Sequence, residues 1–432
     1  MRARRVAPVL LLVCACVAAL PAAGDDGWRH RDVERVVAFG DVHGDFDALE
    51  RLLRAAGVVD DGNRWRAGRT HLVSLGDLLD RGPDSRRVMD LLMRLQEEAA
   101  EAGGRVHVLV GNHELMNLTG DLRYVAEEEY AAFAGPEDDA LRVEARARAA
   151  TLDLPTGVVD RRPPGFFAHR AAFRPDGHYG AWLLAQRTLV AIDDRVYLHG
   201  GVSPALLAVP AEDPEARIAS RVRALATEVL DDAYQRPDML DVDLLALGGS
   251  DPETRAAMPP ARAALAERLT TFAGDPAFGP DGPFWYRGNA SCHPLLEAPV
   301  LAPTLSALGV EGVAVGHTPQ RDGRIRSRLD GRVLLLDTGM LARYYRGQPR
   351  ALVVEGDRLS VVSPDGAQDA PDPERPAVDV GLAPSELETL LAEGTVEALD
   401  DGRGRGRGDR KYHGRSRQCG SWGVQKEGGR TL

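Results

Sequence analysis

Short, mostly apolar runs recur along the chain at Val33–Phe39, His71–Leu75, Val106–Val110, Thr188–Ile192, Val196–Leu198, Val313–Val315, Val333–Leu336 and Ala351–Val354. They are rich in Val and Leu and too short for helices, so they predict strands with little contact with water. Between the first three lie patterns of helical period. Asp45 to Ala56 places Phe46, Leu49, Leu52, Leu53 and Ala56 on one stripe, and Gly57 ends it. Pro83 to Ala102 opens with Pro at a helix start, turns Val88, Leu91, Leu92 and Leu95 inward, and stops at Gly103-Gly104. Strand–helix–strand order predicts an α/β layered fold.

Two stretches interrupt that order. Residues 118–186 and 204–281 are helical in pattern, carry no strand signal, and read as insertions forming a cap or substrate wall over the sheet rim. The main domain is expected to span 30–365. From 366 to 432 the composition turns to Pro, Gly and Arg. One amphipathic helix is expected at Ser385–Leu399. Beyond it, Gly402-Arg-Gly-Arg-Gly-Arg-Gly408 offers nothing to bury and predicts a largely disordered tail.

The N-terminus adds a compartment. Arg2, Arg4 and Arg5 precede an apolar run from Val6 to Leu20, then small residues and the pair Asp25-Asp26. Residues 1–23 therefore read as a secretory signal, with a secreted or periplasmic product. The alternative is a lipid anchor through Cys16. Two of the four cysteines lie in this segment. The others, Cys292 and Cys419, could pair in an oxidising compartment, but nothing in their spacing demands it, and each is read as unpaired. Net charge is -12, with the basic residues of the C-terminus set against an acidic body. That balance excludes general nucleic-acid binding, which needs a basic footprint.

Candidate chemistry sits at the ends of five predicted strands. These are Gly40-Asp41-Val42-His43-Gly44, Gly76-Asp77-Leu78-Leu79-Asp80-Arg81-Gly82, Gly111-Asn112-His113-Glu114, His199-Gly200-Gly201 and Gly316-His317-Thr318-Pro319. Ligand sites in α/β sheets gather at the carboxyl ends of strands. Carboxylate, imidazole and amide oxygen without thiolate suit divalent first-row metals, and Mn, Fe and Zn all fit. One such piece alone would most often be a loop, a cap or a surface ion pair. Five in one chain, each after a strand, point to a dinuclear metal site. His30, His71, His107, His169, His178, His293 and His413 fit no ligand pattern and read as packed or solvated. His178 and His293 lie near the expected substrate wall.

These motifs resemble the calcineurin-like metallophosphoesterases, in particular the phosphoprotein phosphatase branch, over Val36–Gly339. Gly111-Asn-His-Glu-Leu-Met-Asn-Leu-Thr-Gly-Asp-Leu-Arg-Tyr-Val125, Phe284-Trp-Tyr-Arg-Gly288 and Leu336-Asp-Thr-Gly-Met340 look like the Shewanella-like protein phosphatases. The C-terminal segment of the eukaryotic phosphatases is missing, so their inhibitors and partner subunits do not carry over. The resemblance implies a β-sandwich flanked by helices and two metal ions. Asp41, His43 and Asp77 would hold the first ion. Asp77, Asn112, His199 and His317 would hold the second. Arg81 and Arg287, with Arg123 as a third candidate, would grip the substrate phosphate. His113 would be the general acid, oriented by Asp80. The reaction implied is attack on a phosphate monoester by a hydroxide bridging the metals, with a phosphoprotein or phosphopeptide as substrate. Hydrolysis of nucleotides or other small phosphorylated metabolites is the alternative. A non-catalytic binding protein is a further reading, opposed by the complete ligand set. Oligomeric state stays open.

Overall fold

The computed structural model describes residues 27–155, 157–207, 213–368 and 370–373. In chain order the strands are β1 (Arg29–His30), β2 (Val36–Phe39), β3 (His71–Ser74), β4 (Arg105–Val108), β5 (Leu189–Ile192), β6 (Arg195–Leu198) and β7 (Gly312–Val315). They continue with β8 (Arg326–Arg328), β9 (Val333–Leu335), β10 (Ala351–Glu355), β11 (Arg358–Ser363), β12 (Gly366–Gln368) and β13 (Asp372–Pro373). They form two sheets, ordered β12-β11-β10-β2-β3-β4 and β1-β5-β6-β7-β9-β8-β13.

Within the first sheet β2, β3 and β4 run parallel, with Val37 opposite Leu72 and Val73 opposite His107. Within the second, β6, β7 and β9 run parallel, with Leu198 opposite Val315 and Val315 opposite Leu335. Side chains alternate across a strand. On β2, Val36 and Ala38 therefore join Val73, Leu75, Tyr197, Ala314 and Leu334 in one core cluster. Val37 and Phe39 join the cluster that includes Leu49, Leu52, Leu53, Leu92 and Leu95. Those leucines lie on helices α1 (Phe46–Ala55) and α2 (Ser85–Glu101). This two-sided burial explains why the strands read as continuous apolar runs.

Each of the eight apolar runs overlaps a strand, with bounds that agree to within a few residues. The helix starts differ in detail. Asp45 caps α1 by accepting from Ala48 N at 3.0 Å. Pro83 is not the first helical residue of α2, which begins at Ser85 behind Asp84. Sequence reading overlooked β1, β8 and β11–β13. These are short, polar or half-buried, so tertiary pairing rather than apolar pattern makes them strands. Pairing also runs past residue 365, where Gly366 at φ 134° turns β11 into β12.

Helices fill both stretches read as insertions, and no strand lies there among the described residues. After α3 (Asn112–Leu118) come α4 (Glu127–Ala131), α5 (Pro136–Thr151), α6 (Gly157–Asp160), α7 (Phe166–Ala172) and α8 (His178–Ala185). The second stretch packs on the first: Arg162 clasps Asp241, and Arg148 Nη1 donates to Gln235 Oε1 at 2.7 Å. Among the described residues no helix is long and apolar enough to cross a membrane. The signal segment, the helix at Ser385–Leu399 and Cys419 lie outside the described residues. One cysteine reading is overturned. Cys292 is buried and disulfide-bonded, with its partner outside the described residues. Spacing cannot reveal a bond set by tertiary proximity.

Candidate metal centre

Parallel strands in both sheets bring the motif loops to one end of the sandwich. Asp41 and His43 follow β2, Asp77 follows β3, and Asn112 and His113 open α3 after β4. His199 follows β6 and His317 follows β7. All seven are buried. The backbone turns sharply to aim them: His43, Asp77, Asp80, Arg81 and His317 adopt φ of 48°, 50°, 72°, 65° and 65°. Non-glycine residues hold such angles only where their surroundings over-determine them, and functional sites are where they cluster.

Asp77 is the hub. Its Oδ2 lies 3.7 Å from His43 Nε2 and 3.8 Å from His113 Nε2. Its Oδ1 lies 3.3 Å from His199 Nε2. His199 Nε2 in turn lies 2.8 Å from Asn112 Oδ1 and 3.1 Å from His317 Nδ1. Asp41 Oδ2 is 3.8 Å from His43 Nε2, while its Oδ1 accepts from His317 N at 2.9 Å. Potential ligand atoms thus gather in two groups that share Asp77, one with His43 and His113 and one with His199 and His317.

Two metal ions fit this donor set. His43 Nδ1 is 2.9 Å from the Leu79 carbonyl, and His199 Nδ1 is 2.8 Å from the Leu75 carbonyl. An Nδ1–H donated to each carbonyl leaves Nε2 as an unprotonated, inward-facing lone pair. Burial, then the coulombic push of Arg81, lowers His43 well below the usual imidazole range. Burial lowers His199 to about 3, so it too is neutral. Burial raises Asp41 and Asp77 well above the carboxylate range, with Asp337 the next cause for Asp41 and Glu114 for Asp77. Carboxylates crowded out of water without cations resist ionising; bound cations relieve that cost.

Two glycines show how closely the loops must approach. A Cβ at Gly111 would lie 2.4 Å from Asp77 Oδ1, and one at Gly316 would lie 2.6 Å from Asp41 Oδ1. These two glycines make room for the carboxylates of Asp77 and Asp41.

His113 and Asp80 form a buried pair through His113 Nδ1, and Asn117 Nδ2 donates to the other Asp80 oxygen at 2.8 Å. Burial raises the Asp80 carboxyl to about 7 and lowers His113. Arg81 points at His43 and the Tyr345 hydroxyl, with the Tyr124, Tyr344 and Tyr345 rings 5.0, 5.3 and 5.4 Å from its guanidinium carbon. Arg287 lies alongside, donating to His317 O at 2.6 Å and Thr318 Oγ1 at 3.2 Å. Arg123 is engaged differently. It binds Asp121 through Nε at 2.7 Å and reaches Asp243 at 3.3 Å.

Sequence reading gave no role to Glu114, Asp337 or Tyr345. Glu114 accepts from Gly111 N at 2.7 Å and from Asp77 N and Leu78 N at 2.8 Å each, so it anchors the Asp77 loop. Asp337 is fully buried beside Asp41, accepts from Gly339 N at 2.9 Å, and is raised by burial to about 6. Tyr345 stacks on His43 at 5.6 Å. Glu114 was visible within the Gly-Asn-His-Glu motif. Asp337 lies within the Leu336-Asp-Thr-Gly-Met340 motif, which gave it no role of its own, and no local pattern marks Tyr345.

Known proteins are similar to this chain. The calcineurin-like phosphoesterase family model matches residues 34–202. An uncharacterised protein of Schizosaccharomyces pombe is 29% identical over 76% of this chain and 79% of its own length. Shewanella-like protein phosphatase 2 of Arabidopsis thaliana is 35% identical over 40% of this chain and 48% of its own length. Among solved structures, a cold-active protein-tyrosine phosphatase of a psychrophilic Shewanella aligns with TM-score 0.50 at 26% identity, covering 79% of this chain and 81% of that one.

Proposed function

The chain carries a calcineurin-like metallophosphoesterase domain and is a phosphoesterase hydrolase, and from that premise we propose that it releases phosphate from monoesters on proteins or peptides. The observation that carries the reading is Asp77, whose two oxygens face separate histidine groups, with the buried His113–Asp80 pair at its side. In this reading Asp41, His43 and Asp77 hold one metal ion, and Asp77, Asn112, His199 and His317 hold the other. Bound metals supply activation of the water nucleophile and neutralisation of phosphate charge.

The rest is the work of side chains. Arg81 and Arg287 bind the phosphate oxygens, for which a planar fork of donors is suited. His113 gives the proton on Nε2 to the departing oxygen as the P–O bond breaks, so an alcohol or phenol leaves rather than its anion. Asp80 keeps the ring aimed through Nδ1 and stabilises its charged form. Assistance of this kind is worth ~10²–10⁴ in rate. The aromatic rim of Tyr124, Tyr344 and Tyr345 suits a phosphotyrosyl ring, and the aligned Shewanella protein is described as a tyrosine phosphatase.

The test is an activity panel on the chain reconstituted in turn with Mn, Fe and Zn. Phosphotyrosyl peptide, phosphoseryl peptide and nucleotide substrates are run side by side. Turnover of phosphopeptides above nucleotides is the expected result. Preference for nucleotides would replace the reading with the small-metabolite alternative.

A further inference from the structure

The loop that carries Asp80 and Arg81 is held from outside the metal centre. Both residues are left-handed, at φ 72° and 65°, and neither is glycine. Each such residue costs ~1–2 kcal/mol, so neighbouring bonds must fix the turn. Both of its backbone amides are held by hydrogen bonds tied to the helical stretch after α3. Arg81 N donates to Tyr124 O at 2.8 Å. Asp80 N donates to Ser85 Oγ at 3.2 Å, and Ser85 Oγ donates to Glu129 Oε2 at 2.8 Å. Asp80, Ser85 and Glu129 are all fully buried.

Glu129 lies on α4 and is itself wedged. His169 of α7 sits with Nε2 3.5 Å from Glu129 Oε1. The His169 ring stacks on Phe173 at 4.6 Å and meets the edges of Tyr130 and Phe133 at 5.0 and 5.2 Å. Among the described residues, neither His169 nitrogen nor Glu129 Oε1 has a hydrogen-bond partner. A buried polar pair left partly unsatisfied costs stability. A purely structural core would do better with apolar residues here. The hydrogen bond that Glu129 does make leads through Ser85 to the Asp80 backbone.

We propose that Glu129 is a positioning residue: through Ser85 it fixes the Asp80 turn and so aims His113 at the leaving group. The helical stretch then does more than cover the site. Its docking sets whether the acid is aligned. The inference rests on the reading of His113 as general acid.

The test uses the full metal-loaded chain and two substrates, phenyl phosphate and 4-nitrophenyl phosphate. Phenolate needs a proton to leave, whereas 4-nitrophenolate scarcely does. Glu129→Ala and Ser85→Ala should lower kcat on phenyl phosphate by about ten- to a hundredfold, with a much smaller loss on 4-nitrophenyl phosphate. KM and bound metal should stay unchanged. Glu129→Gln keeps an oxygen for Ser85 and should recover most of the rate. Ser85→Ala removes a single oxygen and carries the test should Glu129→Ala fail to fold. Wild-type kcat in both alanine variants, or equal losses on the two substrates, would overturn the proposal. His113→Ala is run in parallel. If it shows no added sensitivity to the leaving group, the acid reading itself is wrong. If it does while the Ser85 and Glu129 variants do not, only the positioning role is.

Discussion

Gly111→Ala separates the space the metal centre needs from the backbone freedom of glycine. Gly111 has φ -93° and ψ -179°, an extended conformation open to alanine, so the substitution introduces no dihedral strain. Its added Cβ would meet Asp77 Oδ1 at 2.4 Å, Asp77 N at 2.5 Å and Glu114 Oε2 at 2.8 Å. Clearing the first contact to about 3.0 Å needs a shift of about 0.6 Å, and none of the three atoms is the free end of a flexible chain. Asp77 Oδ1 is bonded to His113 N at 2.9 Å, and Glu114 ties down three amides. Overpacking of this kind costs ~1–3 kcal/mol. A ligand carboxylate displaced by half an ångström or more should lose about 10- to 100-fold in metal affinity, the range seen for disturbed ligand orientation. Gly57→Ala is the control. Gly57 sits at φ +67° with nothing within 4 Å of the place an alanine methyl would take. It should cost ~1 kcal/mol of stability and leave metal binding alone. Elemental analysis and metal titration, beside chemical denaturation, read both quantities. Wild-type metal affinity in Gly111→Ala would refute the argument that this glycine exists to admit Asp77.

Other outcomes follow from the same geometry. His113→Ala should lower kcat by ~10²–10⁴ with both metals retained, read by steady-state kinetics and metal content. Asp77→Asn should lose activity together with metal, because one hub serves both ligand groups; retained occupancy by elemental analysis would count against the shared role. Arg287→Ala should weaken vanadate inhibition, and unchanged inhibition would place the second phosphate contact elsewhere. The metal-free chain should also show a signed pH response. Burial raises Asp80 and Glu114 to about 7, so the stability tied to their protonated forms is fully present below the ordinary carboxylate range and lost as pH rises through 7. Burial lowers His43, His113, His199 and His317, so their contribution is lost only as pH falls below the ordinary histidine value of 6.5. Between pH 8 and about 6.5 the carboxyls therefore act alone, and thermal melts should rise as pH is lowered across that window; below it the histidines oppose the rise. Melts that stay flat or fall from pH 8 to about 6.5 would contradict the carboxyl shifts.

The candidate site was legible because most of its proposed ligands close a short local motif: a strand, a glycine and a carboxylate, amide or imidazole. Asp41, His43, Asp77, Asn112, His199 and His317 could be named from those motifs before any contact between them was known. The parallel strands were legible too, since burial on both faces leaves unbroken apolar runs such as Val36–Phe39. Elements lacking that burial, such as β11 with its half-exposed positions, left no such mark.

Tertiary structure decided what no window of sequence contains. Asp337 reaches Asp41 because a glycine at position 40 lets two strand ends touch, 297 positions apart in the chain counting from Gly40 to Asp337. Tyr345 enters from a short helix, and Cys292 finds a partner by folding. Arg123, grouped with the phosphate clamp on its motif, contacts Asp121 and Asp243. Residue type determines which groups can bind a metal or move a proton, and that is local chemistry. Which of them meet is set by strand order and by how the helical stretches dock, and those depend on contacts between distant parts of the chain.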